Sequence, residues 1–127
     1  SQSPDDYRAA VAVKIALAPT AEADVYQALY FSRAPIPAVR DPQRLAQALQ
    51  HQQLFRHIGL YGFRRDFVAQ YRPTASPLSD LEQLEQLTWL EQGQTIHLGL
   101  TTWDTPAIDT PADLARALAW LQEHPDA

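Results

Sequence analysis

Apolar positions along the chain recur with two periods, near 2 in some stretches and near 3.6 in others. Val11 to Leu17 alternates loosely and predicts a strand, and the aromatic-rich Val25 to Phe31 predicts a second, hairpinned to the first across the turn around Pro19. Ser32 to Pro37 carries two prolines, so it continues neither as strand nor as helix. Asp41-Pro42 then reads as cap and first residue of a helix to about Gln53. Arg65 to Tyr71 predicts a short helix, and Ser76-Pro77 starts the longest one, ending near Gln92 before Gly93. At 100° per residue (period 3.6), Leu81, Leu84, Leu87 and Leu90 share one arc of that helix, and Glu82, Glu85, Gln86 and Trp89 the other. Gln94 to Thr101 reads as a strand, and Thr110-Pro111 opens a last helix to about Glu123 with Leu114, Ala117, Leu118 and Leu121 as its apolar stripe. Ser1 to Arg8 is polar and reads as a frayed start.

The stretch that organises the rest is His57-Ile58-Gly59-Leu60-Tyr61-Gly62-Phe63-Arg64. Its apolar content predicts a strand covered on both faces. On such a strand His57 and Tyr61 point to one side, roughly 13 Å apart, with Gly59 leaving a groove between them. The element order ββ-(α)-β-α-α-β-α makes this an α/β chain with a partial mixed sheet and flanking helices. Four strands and a few helices are too few to cover two-faced strands. The expectation is that the sheet is completed by chain outside these residues, or that the chain is one half of a larger unit.

Composition narrows the options. With 127 residues and 46% hydrophobic content, the chain is expected to form a single domain with a real core. A net charge of −5 gives no field for nucleic acid. There is no cysteine, hence no disulfide or thiolate metal site. No run approaches membrane-spanning length and no signal-peptide pattern opens the chain, so a cytoplasmic domain is expected. Methionine is absent, position 1 included, as expected of a processed or truncated piece.

Candidate chemistry gathers at a few positions. Arg33 and Arg40 flank a rigid proline segment and suit carboxylate or phosphate; the plainer alternative is two solvated arginines. His57 and Tyr61 are donors to a polar ligand, or core residues satisfied by backbone. Glu82, Glu85 and Gln86 line the same groove, or a solvated helix face. Trp89 favours the groove, since a tryptophan on a polar face needs a surface to cover. Asp109 is a metal ligand in a loop, or a cap for the helix at Thr110-Pro111. No Walker loop, GxGxxG, HExxH or nucleophile elbow is present.

Four ordered motifs carry a resemblance: Tyr30-Phe31-Ser32-Arg33-Ala34-Pro35-Ile36-Pro37; Arg56-His57-Ile58-Gly59-Leu60-Tyr61-Gly62-Phe63-Arg64; Ser76-Pro77-Leu78 leading to Leu84-Glu85-Gln86-Leu87; and Ile108-Asp109-Thr110-Pro111 with Asp113-Leu114. They resemble the C-terminal half of the 3-deoxy-manno-octulosonate cytidylyltransferases, from about Val13 to the chain end. The resemblance implies a fold of the nucleotide-diphospho-sugar transferase type. It also implies transfer of CMP from CTP to the acidic sugar Kdo, with magnesium, giving CMP-Kdo and pyrophosphate for lipopolysaccharide biosynthesis. By position, Arg33, Arg40, His57, Tyr61, Glu85 and Gln86 fall where that family lines the sugar site, and Asp109 where it supplies one magnesium carboxylate. A homodimer, or a complex with the N-terminal half, is the implied assembly.

The chain departs from the family's pattern in several places. The basic CTP-binding loop and the Gly-Asp-Glu-Pro segment are absent, and Ala9-Ala10-Val11 replaces the usual Asn-Pro-Asn. Ser79 stands where glutamate is usual, and Thr88 where arginine is. The expectation is a sugar-binding and dimerisation half that is inactive without its nucleotide-binding half. The alternative is a non-catalytic dimerisation or acidic-sugar-binding module of the same descent.

Overall fold

The structure is a computed structural model that describes residues 4–102 and 111–123. A hairpin forms its centre. β1 (Lys14–Pro19) and β2 (Tyr26–Ser32) pair antiparallel, from Lys14 opposite Ser32 to Pro19 opposite Tyr26, with a register shift between Ala16 and Leu17. The hairpin is therefore as the alternation predicts. Its turn closes through Thr20, whose Oγ1 donates to the Val25 carbonyl at 2.8 Å.

Two very short strands flank it. β3 (Phe55–Arg56) joins the outer edge of β1 and β4 (His97–Leu98) that of β2, both antiparallel, giving the order β3-β1-β2-β4. The predicted strand at Gln94 to Thr101 is thus reduced to two residues. The predicted two-faced strand at His57–Arg64 does not form, because β3 stops at Arg56 and the chain beyond it follows no strand. Among the described residues no neighbour offers it a ladder, and Gly59 and Gly62 weaken an unpaired strand further.

The helices follow the capping signals. α1 (Pro4–Arg8) corrects the frayed start: Tyr7 is 3% exposed, packs with Leu45, Ala48 and Leu54, and donates to the Pro37 carbonyl at 2.5 Å. α2 (Pro42–Gln50) is capped by Asp41, whose carboxylate accepts from the Gln43 amide at 2.9 Å. α3 (Arg65–Gln70) buries no residue. The longest predicted helix is two: α4 (Pro77–Glu82) and α5 (Gln86–Glu91), separated at Gln83 with φ 55°.

Arg33 explains the break. Its Nε donates to the Glu82 carbonyl at 2.8 Å and its terminal nitrogen to that of Gln83 at 3.2 Å. Those are carbonyls that a continuing helix needs for its own ladder. Beyond the break, Leu84 and Leu87 join Ile15, Ala28 and Phe31 in the main core, so α4 and α5 cover one face of the hairpin. Leu81, expected on the same arc, is 82% exposed, because the arc ends where the helix does. α6 (Pro111–Glu123) buries Ala117 but leaves Leu114, Leu118 and Leu121 about half exposed.

Candidate functional site

Beyond β3 the chain curls instead of extending. The Tyr61 hydroxyl reaches His57 Nε2 at 2.7 Å, against the wide separation expected on a strand. The His57 ring stands edge-on to Phe31 of the core, centroids 5.2 Å apart, which anchors the curl to the hairpin. Tyr61 and Phe63 both meet Trp89 of α5 at right angles, each with centroids 5.1 Å apart. Trp89 thus finds its surface in the curl. Phe63 also stacks on Phe67 of α3 at 5.7 Å, and together these rings fix the curl against two helices.

Burial sets the charge state of the pair. Desolvation lowers the His57 pKa below its usual value, holding the imidazole neutral. Burial, and secondarily the negative charge of Glu85, pushes Tyr61 up to about 12. His57 and Tyr61 are therefore an uncharged hydrogen-bonding pair at neutral pH, within electrostatic reach of an exposed carboxylate at Glu85. Gln86 follows directly, 6% exposed, and its side-chain Nε2 is buried without a hydrogen-bond partner among the described residues. A buried donor left unsatisfied costs about 1–3 kcal/mol, so it calls for an explanation.

Arg33 sits behind this turn rather than open to it. Its guanidinium donates to the carbonyls of Ala10, Glu82 and Gln83. Glu82, read from the sequence as either a groove residue or part of a solvated helix face, turns instead to the hairpin. Its carboxylate accepts from the Ser32 hydroxyl at 2.6 Å and the Arg33 amide at 2.9 Å. Lys14, fully buried, donates to the carbonyls of Ala9, Ala12 and Arg33. Burial lowers its pKa, the Glu82 charge raises it, and Arg33 lowers it. This frame went unread in the sequence, although a lysine inside the apolar run Val13–Leu17 is a signal for it. Arg40 is exposed ahead of α2, and no contact ties it to the others among the described residues. Asp109, the metal candidate, lies outside the described residues. Among those described, no three His, Asp or Glu side chains are placed to hold a metal ion.

In front of the curl lies a cleft of about 1270 Å³, bounded by His57, Tyr61 and Trp89 on one side and by Leu17, Leu54 and Leu98 on others. No helix among the described residues is long and apolar enough to cross a membrane.

The fold is an α/β one of the nucleotide-diphospho-sugar transferase type, and comparison with known proteins identifies its kind. The cytidylyltransferase family model matches residues 7–96, more than half of the chain. The chain belongs to the cytidylyltransferase family. The 3-deoxy-manno-octulosonate cytidylyltransferase of Cytophaga hutchinsonii is 45% identical over 93 residues, 71% of this chain and 36% of the relative. That of Phocaeicola vulgatus is 46% identical over 99 residues, covering 76% and 38%. An 8-amino-3,8-dideoxy-manno-octulosonate cytidylyltransferase from Shewanella loihica is 40% identical over 90 residues, covering 70% and 34%. A solved CMP:2-keto-3-deoxy-manno-octonic acid synthetase in complex with CTP superposes with a TM-score of 0.73 at 27% identity, over 96% of this chain and 46% of that one. The chain thus spans less than half the length of each of these proteins.

Proposed function

We propose that this chain is the sugar-binding part of an enzyme that transfers CMP from CTP to the eight-carbon acidic sugar Kdo, releasing pyrophosphate, in lipopolysaccharide biosynthesis in the cytoplasm. The hydrogen-bonded pair of His57 and Tyr61, within electrostatic reach of the Glu85 carboxylate, carries the reading. It is a neutral donor-acceptor pair close to a carboxylate, and Gln86, next in sequence to Glu85, adds a buried amide with no partner among the described residues. That set suits the hydroxyls of a polyol. The names of the similar proteins supply the sugar and the nucleotide.

The charge states divide the labour. His57 and Tyr61 are neutral and contribute hydrogen bonds only. A sugar carboxylate needs a cation, and Arg33 has committed three of its five N–H groups to backbone carbonyls. Arg40 keeps its fork for a carboxylate. Glu85 accepts from sugar hydroxyls, and the cluster orients the anomeric hydroxyl for in-line attack on the α-phosphate.

Magnesium belongs to the proposal as the ion that neutralises the phosphate oxygens. Asp109 is one ligand for it, and magnesium is usually held by one or two carboxylates together with the substrate's phosphates. The described residues alone do not assemble that site, so the proposal assigns it jointly to this chain and the remainder of the fold. Titration of the isotope-labelled chain with Kdo tests the sugar site. The account expects millimolar binding, about −4 kcal/mol, that perturbs the His57 imidazole and Tyr61 ring signals. It also expects Arg40→Ala to weaken that binding. Saturable Kdo binding that leaves both rings unperturbed contradicts it.

A further inference from the structure

We propose that Glu82 is a positioning residue of the sugar site, and that the end of β2, Phe31-Ser32-Arg33, is the common mount of that site's two walls. Glu82 does not meet the sugar. It sets where Glu85 stands against His57 and Tyr61. The inference rests on the reading that those three residues line a sugar site.

Glu82 and Arg33 hold each other twice. The Glu82 carboxylate accepts from the Arg33 amide at 2.9 Å and from the buried Ser32 hydroxyl at 2.6 Å. In return Arg33 donates from Nε to the Glu82 carbonyl at 2.8 Å and from a terminal nitrogen to the Gln83 carbonyl at 3.2 Å. Each side chain thus binds the other residue's backbone. Bonds to an ionised group are roughly twice as strong as those between neutral ones, so the clasp is firm.

The clasp decides what Glu85 faces. A continuous helix would keep Glu82 and Glu85 on one face, three residues apart. Here α4 ends at Glu82, Gln83 takes φ 55°, and α5 begins at Gln86 with Glu85 as its cap residue. Glu82 turns to the hairpin, while Glu85 stays exposed and its charge reaches Tyr61. The other wall hangs from the same strand end. Phe31, next to Ser32 and fully buried, meets the His57 ring edge-on at 5.2 Å, and His57 holds Tyr61 at 2.7 Å. Lys14 pins the mount from behind by donating to the Arg33 carbonyl. Both walls are therefore placed from three consecutive residues, one through Phe31 and one through Glu82. A misplacement of about 1 Å in such a set can cost about 100-fold in the chemistry it serves, so a residue that never meets the sugar matters to it.

The experiment is a double-mutant cycle read by nuclear magnetic resonance on the isotope-labelled chain, followed by titration with Kdo. The first readout needs no ligand. Glu85→Gln should shift the Tyr61 ring signals, and that shift should shrink at least about fivefold when Glu82→Ala is also present. If Glu82→Ala does not fold, Ser32→Ala takes its place, since it removes one of the two bonds to the carboxylate, and the shift should shrink at least about twofold. In the titration Glu82→Ala should weaken Kdo binding at least about tenfold. Glu82→Gln, whose side-chain oxygen still accepts from the Arg33 amide, should stay within about threefold of the unmodified chain. A chain that binds no Kdo defeats the sugar reading, and the ligand-free cycle still decides the positioning role. Three results overturn the inference: a Tyr61 shift of equal size with and without the clasp, no shift on Glu85→Gln in either background, or a Glu82→Gln chain as impaired as Glu82→Ala.

Discussion

The Tyr61 hydroxyl lies 2.7 Å from His57 Nε2, joining two residues that a continuous strand would hold far apart. That single bond marks where the chain leaves the sheet and curls. Tyr61→Phe keeps the ring contacts with Trp89 and Phe63 but removes the bond. Urea unfolding is expected to show a loss of about 1 kcal/mol with the m-value unchanged. A change in m would mean that the curl itself had opened.

His57 also predicts a pH dependence. Its pKa is lowered on folding by burial, so the unfolded state binds the proton more readily. The resulting stability is fully present above the unfolded value of 6.5 and is lost as pH falls through the lower folded value. Stability measured from pH 8 to pH 4.5 should decline less steeply in His57→Asn than in the unmodified chain. Identical slopes would show that His57 is solvated.

Tyr61 predicts the opposite edge of the pH range. Its folded pKa of about 12 lies above the ordinary 10.0, so its contribution is intact below pH 10 and disappears as pH rises toward 12. Ultraviolet titration should show a late phenolate step that Tyr61→Phe abolishes.

The frame behind the site is testable through Lys14 and Gln83. Lys14→Met strands three partly buried carbonyls that the ammonium now satisfies, and is expected to cost about 3 kcal/mol. Lys14→Arg should not rescue it, since a planar fork does not fit a compact ammonium's place. At Gln83, φ 55° is a left-handed conformation that a β-branched residue resists. Gln83→Gly should be neutral or stabilising by up to about 1 kcal/mol, and Gln83→Val destabilising by roughly 1–2 kcal/mol. Thermal unfolding of the two variants gives both values.

The elements with strong local punctuation were legible in the sequence. Asp41-Pro42 and Ser76-Pro77 start helices where their capping chemistry says, and the β1–β2 hairpin follows its alternation. What was not legible depended on contacts from far along the chain. The break at Gln83 depends on Arg33, fifty residues away, taking the helix's carbonyls. The strand expected at His57–Arg64 has the right residues and no partner among those described. The grouping of His57 and Tyr61 was legible as shared chemistry, while its geometry followed from the curl.

The central claim is that these residues form the sugar side of a cytidylyltransferase, and pyrophosphate release tests it most directly. CTP, Kdo and magnesium are supplied to the chain alone and to a single-chain fusion with the unmatched remainder of the Cytophaga relative. The account predicts no release by the chain alone, because nothing among the described residues cradles a triphosphate and the proximity advantage of about 7–11 kcal/mol is missing. It predicts Kdo-dependent release by the fusion, abolished by Asp109→Asn. Kdo-dependent release by the 127-residue chain alone, or none from a folded fusion, would contradict it.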